Sequence, residues 1–514
     1  MTRLAKIAAT IGDRANPIVV KELRQAVQSR LVIAILLVFL LVNVFVVCSF
    51  LMLNADANSN ETAGQELFAW LFVVLALTCL VFVPLYAGIR LTMERNDANI
   101  DLLFTTTIAP AAIIRGKFWA AVALIALIYS ACMPFLTFTY LLRGIDLPSI
   151  FASLAIAFAC TAGVTMLAIF VGSVAGGWLL RLLLAGAFLF AWCWITTMVI
   201  VGCMQLARMG LTFMFNDREA WAVFGCVVLF GLCAWGFFYL LAVASISARS
   251  SNRMLPVRVF VTACWIVFGL IMGVWSWIEE SPLPMGSWLV TSVMVVSVVL
   301  VFVLAERESW SPRVRRAIPR GRLPRFVAWL LFTGSAGGVL WCFTLGAVTL
   351  LAAIAANGML PRSHLGGIRP EALRDSIAMM TGALLYAVCY AMTGLLVRRW
   401  LAPKSPPILG AVLACILFAV GCLAPLLLAY LIEGPLWRFD TLPIEFVLTN
   451  PAVLEREFAR YIVLYFLMIW AIVATGCNFR WFRQQWSAFA RHELKPAEPQ
   501  PVALAEPAPA VAHG

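Results

Sequence analysis

The residues that most often carry chemistry in proteins do not converge in this sequence. It has 14 Cys and 3 His, and no cysteine pair shows the Cys-x-x-Cys spacing of a metal site with a nearby His. Carboxylates such as Glu433, Glu445 and Glu457 are interleaved with Arg438 and Arg460, which predicts a solvated face over 433–460. No phosphate-binding G-x-x-x-x-G-K-[ST] loop occurs. We therefore expect no catalytic, cofactor-binding or metal site in this chain.

Segment 92–117 mixes charged and apolar residues in a way that suits binding to another protein. Its charges are Glu94, Arg95, Asp97 and Asp101, and its apolar cluster is Ile100, Leu102, Leu103 and Phe104. Pro110 restarts the chain and predicts a second short helix that runs to Lys117. A broken helix with an apolar knob and charged flanks suits docking into a groove on a partner. The alternative is a surface loop that rests on the membrane.

The elements that position this segment are membrane spans. The 514 residues are 63% hydrophobic and 12% charged, whereas soluble domains carry roughly 25% charged residues. Apolar stretches of about 20 residues, each long enough to cross the hydrocarbon core, recur along the chain. Their apolarity is continuous and not alternating, which predicts helices and not barrel strands. The predicted spans are 31–53, 67–89, 118–142, 150–175, 178–206, 221–247, 259–278, 287–305, 327–356, 378–397, 408–432 and 459–477.

The sequence thus predicts an all-α polytopic membrane protein with about twelve transmembrane helices. Loops retained in the cytoplasm are enriched in Lys and Arg. Most of the 37 Lys and Arg fall inside if the amino terminus is cytoplasmic, including those of loop 306–326. Both termini are therefore predicted to be cytoplasmic, in a multi-pass protein of the cell inner membrane. The net charge of +12 then faces anionic membrane lipids, which argues against a nucleic-acid partner.

Residues 16–30, directly before the first span, predict an amphipathic helix along the inner interface. Asn16 can cap it and Pro17 suits its first turn. One side is formed by Val19, Val20, Leu23, Ala26 and Val27, and the other by Lys21, Glu22, Arg24, Gln25 and Gln28. The helix is either a simple membrane anchor or a docking element for a partner.

Four regions follow from these patterns. Residues 1–30 form a cytoplasmic amino terminus with the amphipathic helix, and residues 31–250 form a six-helix transmembrane domain that contains segment 92–117. Residues 251–480 form a second bundle of about six helices. Residues 481–514 form a cytoplasmic tail that is rich in Pro and Ala and is expected to be disordered.

The order and spacing of two motifs resemble the permease subunits of the type 2 class of ATP-binding-cassette (ABC) transporters, over about residues 15–250. The matching residues are Asn16, Pro17, Lys21, Glu22, Leu23, Arg24, Glu94, Arg95, Asp101, Leu102, Leu103, Thr105, Thr106, Pro110, Gly116 and Lys117. The resemblance implies that the first motif is an interface helix and the second a coupling helix on which a separate ATPase subunit docks. Glu94, Arg95, Asp101, Leu102, Leu103, Thr106, Pro110 and Lys117 would then form the docking site. It also implies an exporter, with ATP and Mg²⁺ bound by that partner and no cofactor in this chain.

The second half departs from the six-span pattern of that family. Residues 251–480 are a diverged second permease half, an accessory bundle or a lipid-facing regulatory module. If both halves are permease-like, one chain forms the whole pathway. Otherwise two permease chains form it, either as a homodimer or as this chain with a different permease. An ion-coupled secondary transporter is the first alternative function, although no Asp or Glu lies in the middle of a predicted span. A membrane-embedded enzyme acting on lipid-linked substrates is the second.

Overall fold

The structure is a computed structural model that describes residues 17–53, 63–96, 109–142, 144–174, 178–211, 218–248, 250–359, 370–433 and 447–490. Twelve of the helices within these ranges are long and apolar enough to cross a membrane. The all-α polytopic fold class and the span count predicted from hydropathy are therefore confirmed for the described residues. The described helices group into two compact units, one up to Ala248 with Pro256–Cys264 and one formed by the rest.

Unit 1 is built from helices that run from the amphipathic segment to the sixth span. They are α1 (Pro17–Val27), α2 (Arg30–Leu53), α3 (Ala63–Leu77), α4 (Val83–Asn96), α5 (Pro110–Leu141), α6 (Leu147–Ser173), α7 (Trp178–Met209) and α8 (Arg218–Ile246). Helix α6 packs against α4, α7 and α8, and α1 lies along α5. The core between them includes the fully buried Phe68, Leu71, Phe72 and Ile125.

A π-helical turn, Thr78–Phe82, joins α3 to α4 within one span. A π turn shifts the local hydrogen-bond register and releases a carbonyl from the helical ladder. The carbonyl of Leu80 within the turn accepts a hydrogen bond from Trp192 Nε1 at 2.7 Å. Trp192 lies on α7, so a side chain of the fifth span provides a hydrogen-bond donor for the π-helical turn of the second span.

Unit 2 contains the remaining helices. They are α9 (Leu255–Ile278), whose residues from Trp265 onward belong here, α10 (Leu283–Leu304), α11 (Pro312–Arg316), α12 (Arg322–Leu331), α13 (Ser335–Met359), α14 (Pro370–Leu401), α15 (Ile408–Glu433) and α16 (Glu457–Ala488). Helix α14 packs against α10, α15 and α16, and α13 packs against α10. One core cluster, around Tyr386, Tyr390, Val463 and Leu467, joins α14 to α16.

Several predicted element boundaries are wrong. Helix α16 continues past the predicted end of its span at 477 to Ala488, so residues 481–488, which the sequence predicts as part of a disordered tail, are helical. Two further boundaries are wrong for a local reason. The apolar run that predicts a ninth span over 327–356 is divided into α12 and α13, because Gly334 takes φ 154°, which other residues rarely adopt. The predicted short helix from Pro110 to Lys117 is the first part of α5, which continues to Leu141. Proline at the first helical position starts a helix and does not end it.

The predicted solvated face over 433–460 is wrong in part where the chain is described, since Glu455 is exposed but most of its described neighbours are not. Val447, Val453 and Leu454 are buried, and Arg460 is only 4% exposed. The Arg460 guanidinium pairs with Asp375 of α14 at 2.8 Å. Residues 434–446, including Arg438 and Glu445, lie outside the described residues.

Residues 447–456 reach into the unit 2 bundle with a turn at 448–449, which is followed by a short 3₁₀ helix, Pro451–Glu455. The Tyr390 hydroxyl donates to the carbonyl of Thr449 at 2.5 Å, and the Tyr386 hydroxyl donates to that of Leu448 at 2.6 Å. In return, Thr449 Oγ1 donates to the carbonyl of Gly421 at 3.1 Å. We call residues 447–456 the inserted segment.

The register of α15 shows how deep the inserted segment lies. The apolar span of α15 ends at Leu428, and Gly421 precedes that residue by about 10 Å of helix rise. Thr449 therefore lies well inside a hydrocarbon core that is about 30 Å thick. Non-helical backbone is tolerated at that depth only where protein groups satisfy it, and the hydroxyls of Tyr386 and Tyr390 do so here.

Candidate functional site

The candidate site is the end of the unit 1 bundle where α1, α4 and α5 meet. Lys117 of α5 places its Nζ 2.8 Å from Oε1 of Glu22 on α1 and 2.7 Å from Oε2 of Glu94 on α4. The side chains of Lys117 and Glu22 are 8% and 10% exposed, and that of Glu94 is 38% exposed. One buried ammonium group thus joins α1 to the consecutive helices α4 and α5, which lie far from α1 in the sequence.

The fold of α1 explains why Glu22 faces the bundle. Glu22 and Ala26 are spaced four residues apart and share a helix face, and both are buried. Val20 and Val27, on the apolar side that the sequence predicts to lie along the membrane interface, are 41% and 50% exposed. The predicted polar side of α1 is therefore corrected at Glu22, because its carboxylate is drawn inward by Lys117.

A second polar contact fastens α1 to α4. Arg90 of α4 donates from Nη2 to Oε1 of Gln25 at 2.5 Å and from Nη1 to the Tyr86 hydroxyl at 2.7 Å. Its guanidinium carbon also lies 5.5 Å from the centre of the Tyr86 ring, within the range of a cation–π contact. Helix α1 is consequently held to α5 by an ion pair and to α4 by a charge-assisted hydrogen bond.

A small cleft lies between these three helices. Its walls are formed by Glu22, Ala26, Tyr86, Ala87, Arg90, Lys117, Ala120, Ala121 and Leu124. The small side chains of the alanines leave this volume unfilled. Both cations that border the cleft, Arg90 and Lys117, already bind side chains of α1. The cleft is therefore a packing feature of the joint and offers no free charge of its own to a ligand.

The predicted site residues divide into described and undescribed ones. Asn16, Asp101, Leu102, Leu103, Thr105 and Thr106 lie outside the described residues, and for Arg95 and Pro17 only the backbone is described. Lys21 and Arg24 are exposed, Leu23 is half-buried and Pro110 is the first residue of α5. Glu94 and Lys117, which were both predicted to contact a partner, contact each other.

The pairing of Glu22 with Lys117 is the feature that sequence reasoning missed. The two residues are 95 positions apart, and each was interpreted only within its own segment. A signal was present, since opposite charges in motifs at the same membrane end can pair. No cluster of three or more His, Cys, Asp or Glu suited to a metal ion occurs in the described part of the chain.

With twelve span-capable helices and buried polar joints of this kind, the chain is a multi-pass helical membrane protein. Comparison with protein-family models, with curated proteins and with solved structures finds no match.

Proposed function

We propose that this chain is the transmembrane permease subunit of an ABC transporter, that it works as an exporter in the inner membrane, and that a separate ATPase subunit docks on residues 92–117. ATP and Mg²⁺ belong to that partner, and both termini of this chain are cytoplasmic. The resemblance of the two motifs supports the proposal, and so does the joint around Lys117.

The joint is the observation that carries most weight. A segment that transmits a movement of a partner must be rigidly connected to the transmembrane helices, because otherwise the segment moves without displacing them. Glu94 stands at one flank of the undescribed residues 97–108 and Lys117 at the other, and they are in direct contact. Glu22 adds the amphipathic helix to the same joint. A displacement of the segment is therefore passed to α1, α4 and α5 together.

Coupling also requires that the two states of the partner favour different arrangements of the bundle. Helices α4 and α5 both continue from the joint into the buried core of unit 1. A shift at residues 97–108 would move them together, since Lys117 ties them. In the proposed assembly two copies of the chain surround two ATPase subunits, and the ATP-bound and ATP-free states of the ATPase pair each favour one of the two arrangements.

The test is to change the apolar and acidic residues of the docking segment together. The variant Asp101→Ala with Leu103→Ala should insert normally and lose co-purification of the ATPase subunit and of its ATP hydrolysis. Glu279→Ala with Leu283→Ala is a matched control, because it likewise removes one carboxylate and one leucine, and both of these residues are exposed and lie outside the docking segment. Undiminished co-purification of the first variant would refute the docking site.

An ion-coupled secondary transporter is the second candidate, and the twelve spans favour it. Reconstituted vesicles separate the two functions. Transport driven by an ion gradient in the absence of ATP and of any ATPase subunit would establish the secondary transporter. Transport that needs ATP and a partner subunit would establish the permease.

A further inference from the structure

Helix α12 of unit 2 carries an apolar face that the protein leaves uncovered. Leu323, Phe326 and Val327 are 76%, 38% and 46% exposed, and their spacing of three and four residues places them on one side of the helix. Ala328 and Trp329 on the other side are buried. The exposed face is therefore a continuous apolar stripe.

The orientation of this stripe is fixed by contacts on the buried side of α12. Arg325 Nε donates to the carbonyl of Phe489 at 2.8 Å, and its guanidinium carbon lies 4.7 Å from the centre of the Trp486 ring. The rings of Trp329 and Trp486 meet at 5.2 Å. Because these contacts fix the opposite side of α12 to the end of α16, α12 cannot rotate to bury Leu323 within unit 2.

The position of α12 in the chain places the stripe at the membrane boundary. Helix α12 ends at Leu331, and the apolar span of α13 begins at Ser335. The three residues between them can reach roughly 10 Å at most. The other neighbouring span, α10, ends at Leu304, and Glu306 just beyond it accepts a hydrogen bond from the backbone N–H of Gly334, which follows α12. The helix therefore lies beside the ends of two spans, where headgroups meet hydrocarbon.

The surroundings of the stripe are strongly basic. Arg313 and Arg316 of α11, Arg320 before α12 and Arg322 at its first position are exposed. The nearby carboxylates are already engaged: Glu308 pairs with Arg398 at 2.8 Å, and Glu306 accepts a hydrogen bond from the backbone N–H of Gly334 at 2.7 Å. The charge around the stripe is consequently positive.

We propose that α11 and α12 form a docking site for anionic phospholipid, with the apolar stripe lying among the upper acyl chains and the four arginines binding headgroup phosphates. A helix that lies in the membrane plane with an apolar face and basic flanks binds an anionic membrane in two ways: it buries its apolar face, and its basic residues attract the anionic headgroups. A protein partner would cover the apolar stripe equally well, but it would not account for the position of the stripe at the ends of two spans. This site is independent of ATPase docking on unit 1.

The first test measures lipid preference. Full-length protein is reconstituted in vesicles of equal phosphatidylglycerol and phosphatidylcholine, extracted gently, and the retained lipids are quantified. Replacing all four arginines with glutamine should lower the retained ratio of anionic to zwitterionic lipid about fivefold or more, since each basic residue near an anionic surface contributes substantially. The control carries the same charge change at four other exposed arginines on four different helices, namely Arg30 of α2, Arg115 of α5, Arg208 of α7 and Arg374 of α14.

The control variant should lower the ratio less than about twofold, because those residues are dispersed and the contribution of a charge falls off within a Debye length. An equal effect of both variants, or no effect of the first, would overturn the proposal. High salt should reduce the preference of the wild type and leave that of the four-arginine variant nearly unchanged.

The second test does not depend on charge changes. Benzoylphenylalanine in place of Leu323 should photo-crosslink phospholipid in native membranes, as the same probe in place of the exposed Leu427 of α15 should do. Leu323 is largely exposed, so its replacement leaves the fold intact. Crosslinking of position 323 to another protein, or to nothing while position 427 gives a lipid adduct, would show that the stripe does not face lipid.

Discussion

Lys117 and Glu22 form a buried ion pair with 2.8 Å between Nζ and Oε1, although 95 residues separate them in the sequence. Both side chains are almost fully withdrawn from solvent. The pair therefore matters mainly through what happens when one partner is lost, because an uncompensated buried charge is far less favourable than either the pair or an apolar replacement of both.

Replacing Lys117 with methionine should destabilise unit 1 by about 3 kcal/mol, since the Glu22 carboxylate stays buried without its cation. Glu94 is more exposed and can turn toward solvent. The change is measured as a lower free energy of unfolding in detergent micelles. Lys404→Met, at an exposed lysine, should have almost no effect.

The double variant Lys117→Met with Glu22→Met should recover most of the loss and come within about 1 kcal/mol of the wild type, because no buried charge remains. A double variant as unstable as Lys117→Met alone would mean that packing, and not the charge of Glu22, governs the joint. In that case the rigid base proposed for the docking segment would have to depend on the apolar contacts between α1 and α5.

The end of α16 offers a second stability test. Phe489 is fully buried, and its ring lies 5.1 Å from that of Trp310 and 6.0 Å from that of Phe332. Phe489→Ala should destabilise unit 2 by about 3 kcal/mol through the cavity it leaves. Phe479→Ala removes an aromatic ring that is 66% exposed and should change the unfolding midpoint little. Equal effects would show that residues near 489 do not pack as described.

Hydropathy predicted the spans because each is a local property: about 20 apolar residues are enough to specify a spanning helix, wherever its neighbours lie. The same rule failed at Phe332–Gly334, where the apolar residues continue but the backbone turns. An average over a window does not register a single glycine with positive φ. The predicted ninth span was too long for that reason.

The candidate joint could be predicted only in part. The charged residues Glu22, Glu94 and Lys117 were all singled out, but their mutual contact depends on how α1 lies on α5, which no local pattern encodes. The inserted segment was missed altogether, because the charges around it indicated a solvated loop. Tyr386 and Tyr390 were the available signal, since hydroxyl groups inside a span require partners.

The close approach of Tyr390 to Gly421 yields a third prediction. A methyl group on Gly421 would overlap the Tyr390 hydroxyl, which already donates to the carbonyl of Thr449. Gly421→Ala should therefore destabilise unit 2 by about 1–3 kcal/mol, as overpacking does. Gly476→Ala lies where a methyl group meets open space, so it should be neutral or slightly stabilising, because Ala favours a helix. Thermal unfolding of both variants in micelles distinguishes the outcomes.

Thr449 and Pro425 provide the sharpest test of the inserted segment. Pro425 lies inside α15 and has no N–H to donate to the carbonyl four residues earlier, which is that of Gly421. Thr449 Oγ1 donates to that carbonyl at 3.1 Å. The inserted segment thus supplies the hydrogen bond that the proline removes from the helix.

Thr449→Val should therefore lower the free energy of unfolding by about 1–3 kcal/mol, because it leaves the Gly421 carbonyl buried without a donor. In a Pro425→Ala background the restored N–H of residue 425 can serve that carbonyl, so the same Thr449→Val change should have a clearly smaller effect. Thr291→Val, at a half-buried threonine whose hydroxyl bonds to its own helix, is the matched control. If Thr449→Val destabilises both backgrounds equally, the hydroxyl does not compensate for the proline, and the depth assigned to the inserted segment loses its support.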